Sequence, residues 1–246
     1  MNRAMQTLPS GIALRPFGEL PDLDLDFADL DRPRLVTDLL ARCAADAEFW
    51  WAQPVAVRSA ALLRLVAITD GIQALSFTAR CPTCAEAFEF ELQLAALVAV
   101  AGEREPIRVS LGQDTDVVLR RPTGDDLRRW RSAHPATRAE ARRLMLDSLL
   151  LEGRVRPEDE ARLSSAVAAS DPLVALSVAC DCPACGDASE VPVDLDDTAL
   201  ARLAARQGAL LREVHCLASR YGWSEAQVMA LPPARRARYL ALIEAS

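Results

Sequence analysis

The chain has 246 residues, of which 51% are apolar and 26% charged, with a net charge of -7. That length suffices for one large domain or two small ones with a proper core, and the acidic balance argues against a phosphate backbone or an anionic membrane as the chief partner. All 28 basic residues are Arg and Asn occurs once, at Asn2, which reads as the codon bias of a GC-rich genome.

Met1 to Pro9 carries one Arg and no apolar stretch before Pro9 and Gly11, so export by the general secretory route is not expected. The most apolar run, Leu92 to Gly102, is shorter than the roughly 20 residues that span a bilayer, and Val55 to Phe77 is broken by Arg58, Arg64 and Asp70. A soluble, cytoplasmic protein is expected. In a reducing compartment, paired Cys-x-x-Cys units favour metal over disulfides.

In chain order, LPSG at Leu8 to Gly11 signals a turn, and PDLDLDFADLD then alternates Leu with Asp as a half-buried strand would. Six acids and no base lie between Gly18 and Asp31, so residues 1–33 read as a solvated acidic arm, with a docking strip for a basic partner as the sharper alternative. From Pro33 the pattern turns helical, with Leu35, Leu39, Leu40 and Cys43 on one face, and a second helix is expected over Ala56 to Ile68, ended by Asp70-Gly71. Ser76 to Arg80 and Phe88 to Leu92 read as the two strands of a hairpin with CPTC at its tip. Strands are expected at Ile107 to Leu111 and Asp116 to Arg120, followed by a helix on which Thr123 and Asp126 form a capping-box variant. Helices at Arg138 to Leu151 and Pro157 to Ala169 come next. After Asp171-Pro172 the order repeats: LVALSVACD as a strand, CPACG as a tip, Ser189 to Leu195 as the return strand. The tail is helical, with Leu200, Leu203, Leu210, Val214 and Leu217 on one stripe up to Gly222. A new helix opens in WSEAQ, with Ser224 and Gln227 as capping box and Trp223 stapled onto Val228, and a last one follows Pro232-Pro233. The predicted fold is therefore α+β: a zinc-ribbon-like pair of CPxC β-hairpins with inserted helices and a helical C-terminal tail. Its parts are the arm, a body over 34–195 and a tail over 196–246.

Two hairpin tips can each supply two thiolates to a tetrahedral zinc, which makes Cys81, Cys84, Cys182 and Cys185 the expected ligands of one structural Zn2+. The pairs are roughly a hundred residues apart, far beyond ordinary ribbon spacing, but their hairpin contexts match. A thioredoxin-like redox pair, regulated disulfides and metal-free packing are the rivals, although a redox Cys-x-x-Cys should open a helix and both of these precede strands. Ala85 stands where the second tip has Gly186, a position where a left-handed backbone disfavours alanine. Cys180 is near enough to replace Cys182. A site closed by four protein ligands is structural and unsuited to activating water.

Catalytic constellations are thin. His134 and His215 lie in no nucleophile or metal motif, no phosphate or nucleotide loop is present, and the carboxylates form no assignable acid–base pair. A non-enzyme is expected. Arg235, Arg236 and Arg238 on the last helix are the best nucleic-acid hint, yet residues 196–246 hold seven Arg against five acids, an ordinary solvated balance.

The string REVHCLASRYGWSEAQVMALPPARRARYLALIE, together with AQPVAVRSAALLRLVAITDGIQALSFTARCPTC, RRPTGDDL and DPLVALSVACDCPACG, resembles the T-even-type phage baseplate proteins, the hub-assembly chaperone group that extends into phage-like contractile injection systems. The likeness runs from about Gln53 to Ala245, with Ala85, Cys216 and the acidic arm as departures. It implies a non-enzymatic subunit or chaperone of tail assembly, whose partners are baseplate or hub proteins of a contractile tail and whose place is the cytoplasm or an assembled particle. For partner binding, Trp223, Val228, Leu231 and Tyr239 on the amphipathic tail are the expected surface, with Arg235 and Arg236 beside them. The same four could instead close the tail's own small core. The competing reading is a zinc-ribbon nucleic-acid regulator acting through the Arg-rich helix.

Overall fold

The computed structural model describes residues 12–44, 46–100, 105–112 and 116–245. The turn expected at Leu8 to Gly11 lies outside them. Helix α1 (Arg32–Cys43) starts where the Asp31 carboxylate accepts the Arg34 backbone N–H and Pro33 presets the first turn, and it buries Leu35, Val36, Leu39, Leu40 and Cys43. A short helix α2 (Ala47–Ala52) inserts Trp50 into the core. Helix α3 (Val55–Asp70) is buried on every side from Ala60 to Leu63 and stops at Gly71, whose φ of 68° a glycine adopts without strain.

The two CPxC segments then build the repeated unit. Strands β1 (Ala74–Arg80) and β2 (Ala87–Gln93) pair antiparallel, setting Leu75 opposite Leu92, Phe77 opposite Phe90 and Ala79 opposite Phe88 on one apolar face. Helix α4 (Leu94–Val100) follows. Between the units lies a separate sheet, β3 (Ile107–Ser110), β4 (Asp116–Leu119) and β5 (Leu150–Glu152), in the order β3-β4-β5. It carries α5 (Gly124–Ala133), α6 (Arg138–Leu149) and α7 (Glu160–Ser170). Strands β6 (Leu176–Asp181) and β7 (Ala188–Val193) repeat the hairpin, and the chain ends in α8 (Leu195–Tyr221), α9 (Glu225–Met229) and α10 (Pro233–Glu244).

Sequence expectation and structure part for one tertiary reason and one local one. The helix expected to Leu151 ends at Leu149, because Leu150 to Glu152 pair with β4 and complete a three-stranded sheet. The Leu-Asp alternation makes no strand: Pro21 has no N–H to offer a ladder, and Leu20–Asp24 close a 3-10 turn instead. The acidic segment is also not wholly solvated. Phe17 and Leu25 enter the main core, and Asp22, fully buried, receives two Arg15 hydrogen bonds at 2.7 Å and the N–H groups of Gly18 and Glu19. Gln207 of α8 ties this turn down by donating to the carbonyls of Asp22, Leu23 and Leu25.

Among the described residues, apolar burial is divided among four clusters. The largest joins α1, α3 and the first turns of α8, a second fills the space between β3–β5 and α6–α7, a third lies under the hairpin tips, and a fourth closes the tail. Residues 34–195 thus contain two large cores, while the start of the tail and the acidic segment share the first. Among the described residues no helix is long and apolar enough to cross a membrane.

Candidate metal centre

Each tip is the same small machine. Cys81 donates its N–H to the Glu86 carbonyl at 2.9 Å and accepts at its own carbonyl from Ala85 N–H at 3.0 Å; Cys182 does likewise with Asp187 and Gly186 at 2.9 and 2.8 Å. This knuckle turns both sulfurs of a pair to one side and places residue five of the tip in the left-handed region, φ 61° at Ala85 and 74° at Gly186. Alanine is held there by the same two hydrogen bonds that glycine satisfies freely.

The inner faces of the two hairpins then meet over Ala79, Phe88, Phe90, Cys180 and Val191. This contact carries the tips together: the Sγ atoms of Cys81, Cys84, Cys182 and Cys185 all lie within 4.8 Å of one another. Two of the separations cross between hairpins, Cys81 to Cys185 and Cys84 to Cys182, each 3.6 Å. A tetrahedron with the ~2.3 Å bonds of zinc to thiolate has edges of about 3.8 Å, so the sulfurs already stand near the corners such an ion requires. Cys81 and Cys182 are buried while Cys84 and Cys185 face solvent, and Thr83 Oγ1 donates to Asp187 Oδ2 across the junction at 2.8 Å.

The electrostatics of the set favour a cation at its centre. Backbone amides of Cys84 and Thr83 aim at Cys81 and bring its thiol down to about 7, outweighing its burial. Cys185 accepts the Asp187 amide, yet its thiol is pushed up to about 12 by Cys84, burial and Cys81. The Cys81 sulfur ionises readily while those of Cys84 and Cys185 resist, which is the behaviour of a thiolate cluster that a divalent ion would neutralise.

All four sequence-expected ligands are brought together, Cys182 as the first of the two from its tip. Cys180 packs beneath the cluster as part of its apolar support and is not among the four. Both Cys-x-x-Cys segments are followed by strands, as β2 and β7 show, and not by helices. Sequence reading missed the Thr83–Asp187 link; neither residue carries a spacing signal, because the partner lies on the other hairpin.

The tail residues separate into two groups. Val228 is fully buried against Val214 and Leu217, and Trp223 and Tyr239 pack around it with ring centroids 5.0 Å apart. Arg236 is 4% exposed, its Nε donating to Glu213 at 3.0 Å and its Nη1 to the Leu231 carbonyl at 2.9 Å. Val228 and Arg236 are therefore internal to the tail, while Arg235 and Arg238 are exposed and Leu231 is half-buried. His134 caps α5 and its Nδ1 lies 2.7 Å from the Ser132 carbonyl, and His215 sits on the exposed side of α8; neither approaches the sulfurs.

Fold and site together define a class: an α+β chain whose two like hairpins meet at a four-cysteine cluster able to hold a metal ion. No protein-family model, curated protein or solved structure matches the chain.

Proposed function

We propose that the protein is a non-catalytic component of contractile-tail assembly, a baseplate or hub subunit or its chaperone, stapled by one structural zinc ion. The observation that supports this reading is the donor set: four thiols from two distant hairpins cluster within 4.8 Å of one another, and a tetrahedral zinc bound by all four would have no open position for a substrate or an activated water. Bound there, zinc would link residues separated by the whole β3–α7 insertion, so its binding free energy becomes folding free energy. The likeness of residues 53–245 to the baseplate family supplies the setting. The same likeness makes protein partners, and not small molecules, the natural ligands.

The nucleic-acid reading is not favoured, because Arg236 is spent on Glu213 and only Arg235 and Arg238 of that trio remain outward. One experiment tests both readings. The purified chain is assayed for zinc, then co-expressed with the hub and baseplate proteins of a contractile tail and, separately, titrated with duplex DNA over a salt series. One zinc per chain, a stable complex with a hub or baseplate protein and no salt-steep DNA binding is the expected result. Tight DNA binding that falls steeply with salt and is abolished by Arg235→Glu with Arg238→Glu would overturn it.

A further inference from the structure

Both cysteine hairpins are two-stranded, so β2 and β6 each keep one edge that no other described strand covers. The ladder fixes which backbone groups that edge presents, because bonded and non-bonded pairs alternate in an antiparallel hairpin. Cys81 donates to the Glu86 carbonyl and Leu94 to the Gln73 carbonyl, both at 2.9 Å and both in register with the ladder between them. Leu75–Leu92, Phe77–Phe90 and Ala79–Phe88 are therefore the bonded pairs, and the N–H and C=O groups of Glu89 and Glu91 turn away from β1. In the second hairpin Cys182 donates to the Asp187 carbonyl, and the same alternation turns the backbone of Ala179 and Asp181 away from β7.

The two free edges border one groove. It has a volume of about 390 Å3 and is lined by residues 88–92 of β2 and 178–181 of β6 together with Pro183, while β1 and β7 contribute nothing to it. Glu89, Glu91, Ala179 and Asp181, the residues with outward-turned backbone, are all exposed, so an incoming chain can reach them. An uncovered edge of this kind is a template for an added strand.

Side chains decide which strand is accepted. Successive residues of a strand point to opposite faces, which puts Phe90, Cys180 and Val178 on the inner face of the groove and Glu89, Glu91 and Asp181 on the outer one. Among the described residues no basic side chain lines the groove. A second copy of this chain would bring the same acidic edges with it, and like charges set opposite one another in a ladder repel. A segment alternating Arg or Lys with apolar residues complements both faces, its bases opposite the acids and its apolar side chains against Phe90 and Val178. We propose that the groove between β2 and β6 captures such a basic-apolar segment of a partner protein as an added strand, hydrogen-bonded to the edge of β2 at Glu89 and Glu91. This docking mode does not depend on the partner being a baseplate component.

The test is an amide-shift titration of the full-length 15N-labelled protein with the capped peptide Ac-Arg-Val-Arg-Val-Arg-NH2. Two comparison peptides are the same sequence with every backbone nitrogen methylated, which cannot donate to a ladder, and Ac-Glu-Val-Glu-Val-Glu-NH2. Saturable shifts confined to residues 87–93 and 177–183 are expected with the arginine peptide, together with slowed hydrogen exchange at the Glu89 and Glu91 amides. Affinity should weaken by about tenfold or more in the Glu89→Lys, Glu91→Lys double variant, which changes two exposed side chains. No saturable shift, shifts elsewhere on the molecule, or unchanged affinity in the double variant would overturn the proposal. Equal binding of the methylated peptide would overturn the strand pairing, and equal binding of the glutamate peptide would overturn the selection by charge.

Discussion

Ala85 and Gly186 occupy the same place in the two tips and both have positive φ, but only one is glycine. The left-handed region costs an alanine ~1–2 kcal/mol, and a Cβ built on Gly186 meets nothing within 4 Å, so backbone strain alone separates the two. Ala85→Gly is therefore expected to stabilise the protein by about 1 kcal/mol and Gly186→Ala to destabilise it by about the same, read as opposite shifts of the denaturation midpoint. Equal shifts of one sign would show that the tips are not equivalent. Asp22 sets a second expectation at this scale. Burial would raise its carboxyl, but the two Arg15 hydrogen bonds and the amides of Gly18 and Glu19 prevail and hold it below the ordinary range. Its contribution is thus complete above the unfolded value near ~4 and is lost as pH falls from there through the folded value. Asp171 and Asp196 act in the opposite sense, since burial raises both, and what they contribute fades as pH rises through their folded values. Asp22→Asn should lower stability at neutral pH by about 1–3 kcal/mol and flatten the loss below about pH 4, a pair of effects that melts across a pH series would measure. The sequence displayed Asp22 as one acid among six; that it alone is buried follows from Arg15 and Gln207, which are distant or unpatterned.

At the level of elements, sequence reading found several locally coded features and missed others, among them the Thr137–Glu140 capping box and the Asp46-capped helix α2. The capping boxes Thr123–Asp126 and Ser224–Gln227 are both made, the former with Thr123 N–H donating to the Asp126 carboxylate at 2.9 Å and the latter with Ser224 N–H donating to Gln227 at 2.8 Å. Their partners are three residues away, so spacing suffices to reveal them. Strand β5 was invisible, because LDSLLLEG continues a helical pattern and only the free edge of β4 draws Leu150 to Glu152 into a ladder. The tail shows the same division. Its stripe of Leu and Val residues was legible, but which arginine of ARRAR points inward depends on where Glu213 stands on the neighbouring helix. Arg236→Ala should accordingly cost about 1–3 kcal/mol by stripping partners from Glu213 and the Leu231 carbonyl. Arg235→Ala, at an exposed position, should stay within about 0.5 kcal/mol. Hydrogen exchange would locate the Arg236 effect in α9 and α10, and comparable losses from both variants would contradict the assignment.

For the whole molecule, the decisive feature is a four-cysteine cluster shared by two hairpins that bracket a module with its own core. Chelation of a bound metal should first deprotect amides of β1, β2, β6 and β7 near the tips, while β3 and β4 keep protection supplied by Val117, Leu119, Leu149 and Leu163. Uniform loss of protection along the chain would instead mean that the two cores fold as one unit. The sequence by itself determined the hairpins, their cysteine tips, most helices and the cores' apolar faces, because these rest on turn chemistry, capping and periodicity within a few residues. The meeting of the two tips through Cys81, Cys84, Cys182 and Cys185 was expected from the sequence and is seen in the structure; tertiary structure alone decided that the acidic segment folds back onto α8, that Leu150 to Glu152 join β4 as a third strand, and that Arg236 of the tail turns inward. Those outcomes depend on contacts between residues tens to more than a hundred positions apart, where the geometry of packed elements, and not local pattern, sets which side chains face each other.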